Sequence, residues 1–301
     1  MKQNHGLKLD WRAKLKRKDP RNFSRKKKFG AFLDVSQIPD FDLDPNPRIK
    51  NQLDGYMCTA FANTSCSELQ EGIELSPEYA YQKTNSLMGV KHSNGADFYK
   101  ALKVHVKFGC LEQKDAPFTL AEKGQYFVEN PDNWNVSYDD LAVLHKKKSY
   151  LKCDQGKDPF DSVIIAMWQS YQAFQESLNI SDIRAASCAT YWFPEFQGME
   201  IVVDDDGWNI KLGSGHNIKC KAKKTVNGTP YIEVQNSYGL GSGKNGLHLF
   251  PRKTFNKIFF DAATFIDADP EDLKKEQWGI IANLLDKIVN LLRSLSESLG
   301  V

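Results

Sequence analysis

The segment from Asn51 to Ala62 constrains the fold and chemistry of this chain more than any other. Gln52 stands six residues before Cys58, and Cys58 opens an apolar stretch with helical spacing. A thiol at a helix N-terminus lies at the positive end of the helix dipole, which is expected to lower its pKa. Gly55 permits a tight turn, which brings the Gln52 amide close enough to donate to an oxyanion beside the sulfur. The segment therefore predicts a cysteine nucleophile that attacks a carbonyl.

A nucleophilic cysteine requires a base and a group that orients the base, and two stretches far downstream offer both. His216 follows Gly213-Ser214-Gly215, and Asn236 precedes Ser237-Tyr238-Gly239. Residues around both alternate with a period of two, which is typical of β-strands. Asn227-Gly228 between them is a hairpin signal. We therefore expect His216 and Asn236 on the inward face of adjacent antiparallel strands.

These elements, in this order, resemble the papain-like cysteine peptidases over most of the chain, from about Ile38 to Phe255. The Thr after the cysteine and the later Ser76-Pro77-Glu78-Tyr79 are most similar to the bacterial and viral members. The resemblance implies a two-lobed α+β fold, with a helical lobe, an antiparallel β lobe and the active site in the cleft between them. It implies no metal or organic cofactor.

The resemblance also implies the role of each site residue. Cys58 would be the nucleophile, paired as a thiolate with a His216 imidazolium, and His216 would act as general base and then as acid. Asn236 would hold the imidazole in its productive tautomer. Gln52 and the Cys58 backbone N–H would form the oxyanion hole.

For substrate binding, the resemblance implies an edge and a pocket. Asn94, Gly95 and Ala96 would pair with the substrate backbone, and Phe98 would line the pocket for the second residue before the scissile bond. Core packing is an equally weighted alternative for Phe98. Tyr56-Met57 replace the usual Gly-Ser before the cysteine, and these bulkier residues would narrow the cleft.

Two further residues differ from those usual in the family, and we expect both differences to be tolerated. Thr59 replaces the Trp common in animal and plant enzymes, and Tyr238 replaces the Trp that shields the Asn. Tyr238 should still cover it. The remaining histidines that we considered have no comparable context and are interpreted as surface or packing residues: His92, His105, His145 and His248.

The six cysteines show no metal-binding spacing. Secreted papain-like enzymes usually tie the active-site loop to a second loop by a disulfide, but Gly55 and Ser93 stand where its two cysteines would be. The absence of both halves indicates a reducing compartment. We interpret the cysteines other than Cys58 as buried small apolar residues.

The charge of the chain is uneven. Residues 1–28 carry a net charge of +10, and the remainder carries −8. We therefore divide the chain into a basic flexible arm over 1–30, a papain-like peptidase domain over 31–268 and a C-terminal amphipathic helix over 269–301. The arm could contact nucleic acid or another acidic surface, fold back on its own body, or remain solvated and disordered.

Periodicity and capping residues predict the helices. We expect helices from Cys58 to about Gly72, after a Ser76 cap, over 97–108 and over 159–178. Residues 118–157 give no interpretable pattern. The heptad spacing from Trp278 to Leu299 predicts self-association of the chain through this helix.

The N-terminus has no signal segment and the chain has no run of 18 apolar residues, so we expect no membrane span and a cytoplasmic location, or packaging in a virion. Only about fifty residues precede Gln52, so we do not expect control by a large prodomain. The leading hypothesis is a cysteine peptidase acting on peptides or proteins. The alternatives are a structural or assembly protein on the same fold, perhaps in a virus particle, and a hydrolase of cell-wall peptides.

Overall fold

The computed structural model describes residues 7–8, 22–24, 34–53, 55–90, 93–115, 137–153, 158–267 and 289. The heptad helix predicted over 278–299 lies outside the described residues, apart from Val289. Within the described part, no helix combines the length and apolarity needed to cross a membrane.

The predicted helices are present, and their ends follow the capping residues in the sequence. The first begins at Cys58 and ends before Gly72, whose φ of 70° suits a residue without a side chain. The Ser76 hydroxyl accepts the Tyr79 N–H at the start of the second. The helices are α1 Cys58–Glu71, α2 Pro77–Met88, α3 Phe98–Lys107, α4 Ser137–Ala142, α5 Pro159–Ser177 and α6 Arg252–Ile258.

The strands form a large, mostly antiparallel sheet and one small two-stranded pair. The strands are β1 Leu7–Lys8, β2 Asn22–Ser24, β3 Phe41–Asp42, β4 Ala96–Asp97, β5 Lys147–Lys152, β6 Ala186–Trp192, β7 Ser214–Val226, β8 Thr229–Gln235, β9 Leu247–Pro251 and β10 Phe259–Asp267. The order in the large sheet is β2-β5-β10-β6-β7-β8-β9, and β3 also pairs with β7. The architecture is therefore α+β, as the sequence predicts.

The hairpin that joins β7 to β8 confirms the turn predicted from Asn227-Gly228. Both residues have positive φ, 50° and 76°, which is the requirement of a type I′ turn. The register pairs Lys219 with Gln235, so the strand ends that carry His216 and Asn236 are adjacent.

The apolar core has two parts that meet at Cys58. One part lies between the helices and the large sheet and contains Cys58 with Phe160 and Trp192. The other lies among the helices and contains the preceding residue, Met57, with Phe61. The cysteine therefore lies where the helical part of the molecule meets the sheet.

A row of lysines on β7 lies under the segment 40–44 rather than in solvent. Each ammonium group is almost completely buried and is neutralised by a carboxylate of that segment. The pairs, with N–O distances, are Lys219–Asp44 at 2.5 Å, Lys221–Asp42 at 2.7 Å and Lys223–Asp40 at 2.9 Å. These three ion pairs hold the segment that leads into the Gln52 turn against β7, the strand that carries His216.

Two parts of the predicted N-terminal arm lie on the body of the protein. β1 pairs in parallel with β4, which joins Leu7 to Ala96 and Lys8 to Asp97, and β1 also approaches β7. β2 pairs in parallel with β5. These contacts agree with an arm that folds back, one of the alternatives left open by the charge distribution.

Candidate active site

Cys58 is the first residue of α1 and its side chain is completely buried. The backbone N–H of Asn217, the residue after His216, donates a hydrogen bond to the thiol sulfur. The Thr59 hydroxyl lies 3.9 Å from the same sulfur. The folding of α1 against β7 therefore brings the predicted nucleophile to the strand that carries the predicted base.

Burial raises the pKa of the Cys58 thiol to about 12. The direction expected from the helix terminus is therefore wrong for this arrangement, because the loss of solvation outweighs the hydrogen bonds from Asn217 and Thr59. The thiol is neutral as it stands. A group that takes its proton is required before the sulfur can act as a strong nucleophile.

His216 and Asn236 meet at the adjacent ends of β7 and β8. His216 Nε2 lies 2.8 Å from Asn236 Oδ1, and the Ser237 backbone N–H donates to the same oxygen at 2.7 Å. An amide oxygen can only accept, so Nε2 of His216 carries its proton and Nδ1 holds the lone pair. This tautomer leaves Nδ1 as the basic nitrogen.

Aromatic rings enclose the imidazole on two sides. Tyr238 stacks on His216 with ring centroids 5.0 Å apart and an angle of 8° between the planes. Trp192 lies with its centroid 4.9 Å away. Tyr238 therefore covers the imidazole, whereas the expected cover of Asn236 by this ring stays a prediction.

Beyond Asn236, the hydrogen bonds continue through two residues that the sequence analysis did not assign to the site. Asn236 Nδ2 donates to the Ser242 hydroxyl at 3.1 Å, and that hydroxyl lies 3.0 Å from His248 Nε2. His248, interpreted from the sequence as a surface or packing residue, is 1% exposed. The glycine-rich turn around Ser242, six residues after Asn236, was the available signal.

Gln52 is buried and held by hydrogen bonds to two separate parts of the chain. Its Nε2 donates to the Gly55 carbonyl at 2.5 Å, and its Oε1 accepts the Ser237 hydroxyl at 2.6 Å. The amide group therefore has a fixed orientation between the loop that leads to Cys58 and the residue after Asn236. One Nε2–H is occupied by Gly55, and the second is available to a ligand.

The predicted substrate edge is paired with the chain itself. Asn94 is exposed, Gly95 has a φ of 113°, and Ala96 begins the short strand that pairs with Leu7 of β1. Phe98 is 4% exposed and packs in the main core, which agrees with the core-packing alternative. A role of Phe98 in a substrate pocket stays a prediction.

All six cysteines lie within the described residues, are buried and form no disulfide. Among the described residues, no group of three or more His, Cys, Asp or Glu side chains is arranged to hold a metal ion. The two remaining described histidines lie elsewhere: His105 contacts Ser67 at 3.0 Å, and His145 contacts Glu71 at 3.1 Å.

No protein-family profile matches this chain, and no curated protein sequence matches it. Its fold, in contrast, is similar to solved structures of cysteine proteases. Xylellain, a cysteine protease from Xylella fastidiosa, superposes with a TM-score of 0.63 at 16% identity, over 89% of this chain and 97% of that one.

Two further solved structures are also similar to this chain. The procathepsin B S9 of Trypanosoma congolense gives a TM-score of 0.57 at 14% identity, over 89% of this chain and 88% of that one. The bromelain protease of Ananas comosus, in complex with the E64 inhibitor, gives a TM-score of 0.52 at 17% identity, over 77% of this chain and 100% of that one. The chain therefore has the α+β fold of the papain-like cysteine proteases.

Proposed function

We propose that this protein is a cysteine peptidase that hydrolyses peptide bonds through a thioester acyl-enzyme. The observation that carries the proposal is the hydrogen bond between His216 Nε2 and Asn236 Oδ1, beside a cysteine at the start of α1. This pairing makes Nδ1 of His216 a base at the seam of helix and sheet. A base in that position has a clear use only if a nearby proton must be removed.

The burial of Cys58 defines what the base must do. Because burial raises the pKa of the Cys58 thiol well above neutral pH, the thiol keeps its proton unless another group takes it. His216 therefore takes the thiol proton as the sulfur attacks the substrate carbonyl carbon. The imidazolium then gives this proton to the leaving amine, and a thioester remains on Cys58.

Hydrolysis of the thioester uses the same groups in reverse. His216 removes a proton from water as the water oxygen attacks the thioester carbon, and the bond from that carbon to sulfur then breaks. The Cys58 sulfur takes the proton back from the imidazolium as the peptide acid is released. In both steps an oxyanion forms beside Cys58. The free Nε2–H of Gln52 and the Cys58 backbone N–H are the proposed donors to it.

The substrate would add as an extended strand to the edge formed by Asn94, Gly95 and Ala96. The pairing of β1 with Ala96 and Asp97 supports this proposal, because it indicates that this edge accepts an extended backbone. The same pairing implies that β1 leaves the edge before a substrate binds. Phe98 is proposed only as a residue behind this edge, since it is buried in the core.

The finer classification of the protein is also a proposal. Thr59 and Ser76-Pro77-Glu78-Tyr79 favour the bacterial and viral type of papain-like peptidase. Location in a cytoplasm or virion and self-association through 278–299 rest on the sequence alone. Light scattering on the full chain and on a chain ending at Asp269 tests the association.

A structural or assembly protein on the same fold is the second candidate. The observation that favours it is the complete burial of Cys58 and His216, each 0% exposed, which leaves no direct path for a substrate. The two candidates differ in one property: an enzyme must expose Cys58 during turnover, whereas a scaffold need not.

The test is digestion of a peptide library with cleavage products identified by mass spectrometry. We expect the wild-type protein to cut peptides and Cys58→Ala to lose the activity, while Cys66→Ala, which alters another buried cysteine of α1, keeps it. An uncut library with the wild type, or equal cutting by Cys58→Ala, contradicts the peptidase proposal.

A further inference from the structure

A continuous chain of hydrogen bonds leads away from the candidate active site into the sheet. It runs from His216 to Asn236 at 2.8 Å, from Asn236 to Ser242 at 3.1 Å and from Ser242 to His248 at 3.0 Å. It ends at the backbone carbonyl of Met199, 2.7 Å from His248 Nδ1. All four side chains are 2% exposed or less, so water does not compete for these bonds.

The donor-to-acceptor direction of these hydrogen bonds is set at the Met199 end of the series. The Met199 carbonyl can only accept a hydrogen bond, so His248 Nδ1 carries a proton and donates it. Burial lowers the pKa of His248 to about 4, so the ring is neutral at ordinary pH. Nε2 of His248 is therefore an acceptor, directed at Ser242.

The hydrogen bonds of the Ser242 hydroxyl determine which atom of the Asn236 amide faces it. Its proton goes to His248 Nε2, and its oxygen then accepts from the group on the other side. That group must be a donor, which places the amide nitrogen of Asn236 toward Ser242. The amide oxygen consequently faces His216, where the Ser237 N–H also holds it at 2.7 Å.

The turn that carries Ser242 is built closely around His248. Gly243 has a φ of 55°, and a Cβ at this position would lie 2.7 Å from two ring atoms of His248 and 2.2 Å from the Leu247 carbonyl oxygen. The ring is also packed edge-on against Trp192, at 5.3 Å. A residue larger than glycine would displace the ring or the turn, so the position of His248 is determined on several sides.

We propose that Ser242 and His248 are positioning residues that fix the amide orientation of Asn236, and through it the reactive tautomer of His216. The proposal rests on the function proposed above, because the tautomer matters only if His216 Nδ1 acts as a base. Asn236 touches His216 directly, whereas Ser242 and His248 act through it.

The first test compares two variants with two matched controls. Ser242→Ala removes the acceptor for Asn236, and His248→Phe removes the acceptor for Ser242 while keeping a ring in the core. Ser170→Ala and His105→Phe alter a buried serine that bonds to the Asp182 carbonyl and a buried histidine that contacts Ser67. All four are checked for folding by thermal unfolding before their activity is compared.

We expect Ser242→Ala to lower kcat about tenfold with KM unchanged, the loss typical of one neutral hydrogen bond. His248→Phe should lower kcat by a similar or smaller factor, and His248→Gln, which returns an acceptor to Ser242, should recover part of the loss. The two controls should keep the wild-type kcat. Equal losses in variants and controls contradict the proposal.

A double-mutant cycle separates positioning from general destabilisation. If Ser242 acts through Asn236, Ser242→Ala should cause no further loss of kcat in a protein that already carries Asn236→Ala. A purely structural serine would cost the same factor in both backgrounds, and that result overturns the proposal.

A measurement without turnover keeps the two proposals distinguishable. NMR of ¹⁵N-labelled histidine reports directly which ring nitrogen of His216 carries the proton. We expect Nε2–H in the wild type and a mixture of tautomers in Ser242→Ala. An inactive wild type with this NMR result defeats only the peptidase proposal, whereas an unchanged single tautomer in Ser242→Ala defeats the positioning proposal.

Discussion

The two sides of the candidate site differ in how firmly they are built. On the sheet side, His216 and Asn236 belong to a chain of hydrogen bonds of 2.7–3.1 Å that ends at a backbone carbonyl. On the helix side, the Cys58 sulfur has backbone N–H groups of Asn217, Thr59 and Cys58 itself, and the Thr59 hydroxyl at 3.9 Å. The base is held in one orientation, and the nucleophile is held mainly by burial.

This difference indicates that deprotonation of Cys58 depends on His216 and not on the surroundings of the thiol. The surroundings of Cys58 oppose ionisation, since desolvation raises the pKa of its thiol to about 12. The hydrogen bond between His216 Nε2 and Asn236 Oδ1 sets the tautomer in which Nδ1 holds the lone pair and can accept a proton. The proposed reactivity of Cys58 therefore depends on His216 and the groups that orient it. The variants below test this dependence.

The largest effect among residues outside the Cys58–His216 pair is expected at Gln52. Gln52→Ala should lower kcat by roughly 10²–10³, the range for one lost oxyanion donor. Gln52 also holds Gly55 and Ser237, so thermal unfolding must accompany the kinetics. Gln70→Ala, another buried glutamine, is the control. A Gln52→Ala protein that is stable and turns over at the wild-type rate rules out this oxyanion hole.

Asn236→Ala should lower kcat by about 10- to 100-fold, because a hydrogen bond to a group that becomes charged contributes about 1.5–3 kcal/mol. The fold should remain intact, as judged by circular dichroism and the unfolding midpoint. The comparison of the two sides predicts that this loss lies in kcat, since Asn236 orients the base and does not touch the substrate. A change confined to KM would contradict that assignment.

Low pH should reduce the stability of the folded protein through protonation of His248. Its folded pKa is about 4 and lies below the unfolded value near 6.5, so the unfolded chain binds the proton first as the pH falls. The free energy of unfolding should therefore drop between pH 6.5 and 4, by roughly 2–3 kcal/mol from this residue. Urea unfolding at pH 7 and pH 4.5 should show a smaller drop for His248→Phe than for the wild type. Equal drops would mean that His248 is not held neutral.

The smallest effect is expected at the substrate edge. Lys8→Pro removes a backbone N–H from β1, so its pairing with β4 should weaken and Cys58 should be alkylated about two- to five-fold faster, the ratio expected for a fraction of one hydrogen bond. Lys8→Ala keeps the N–H and should behave as the wild type. Identical rates for both variants would mean that β1 does not limit access to the site.

The parts of the fold predicted correctly from the sequence are those with local signals. Ser76 and Gly72 mark helix ends, and Asn227-Gly228 fixes the hairpin that brings His216 and Asn236 to adjacent strands. Each of these residues acts on its immediate neighbours, so the sequence alone is sufficient.

The missed features depend on contacts between distant segments. β5 lies in a stretch that gave no interpretable pattern, and it is a strand because β10 pairs with it. The lysines of β7 are buried under three aspartates about 180 residues away in the sequence, and Lys221 also pairs with Glu233 of β8. The expected direction of the Cys58 pKa shift is wrong for the same reason: the helix dipole is local, whereas the desolvation comes from burial among segments distant in the sequence.

The most direct test of the account is the rate of Cys58 alkylation by iodoacetamide as a function of pH, resolved by mass spectrometry for each cysteine. At pH 6, Cys58 of the wild type should react far faster than the other five cysteines. In His216→Ala, the Cys58 rate at pH 6 should fall to the level of the others and rise about tenfold per pH unit, as expected for an unassisted thiol of high pKa. Equal labelling of all six cysteines in the wild type, or an unchanged Cys58 rate in His216→Ala, would contradict the claim that His216 supplies the reactive thiolate.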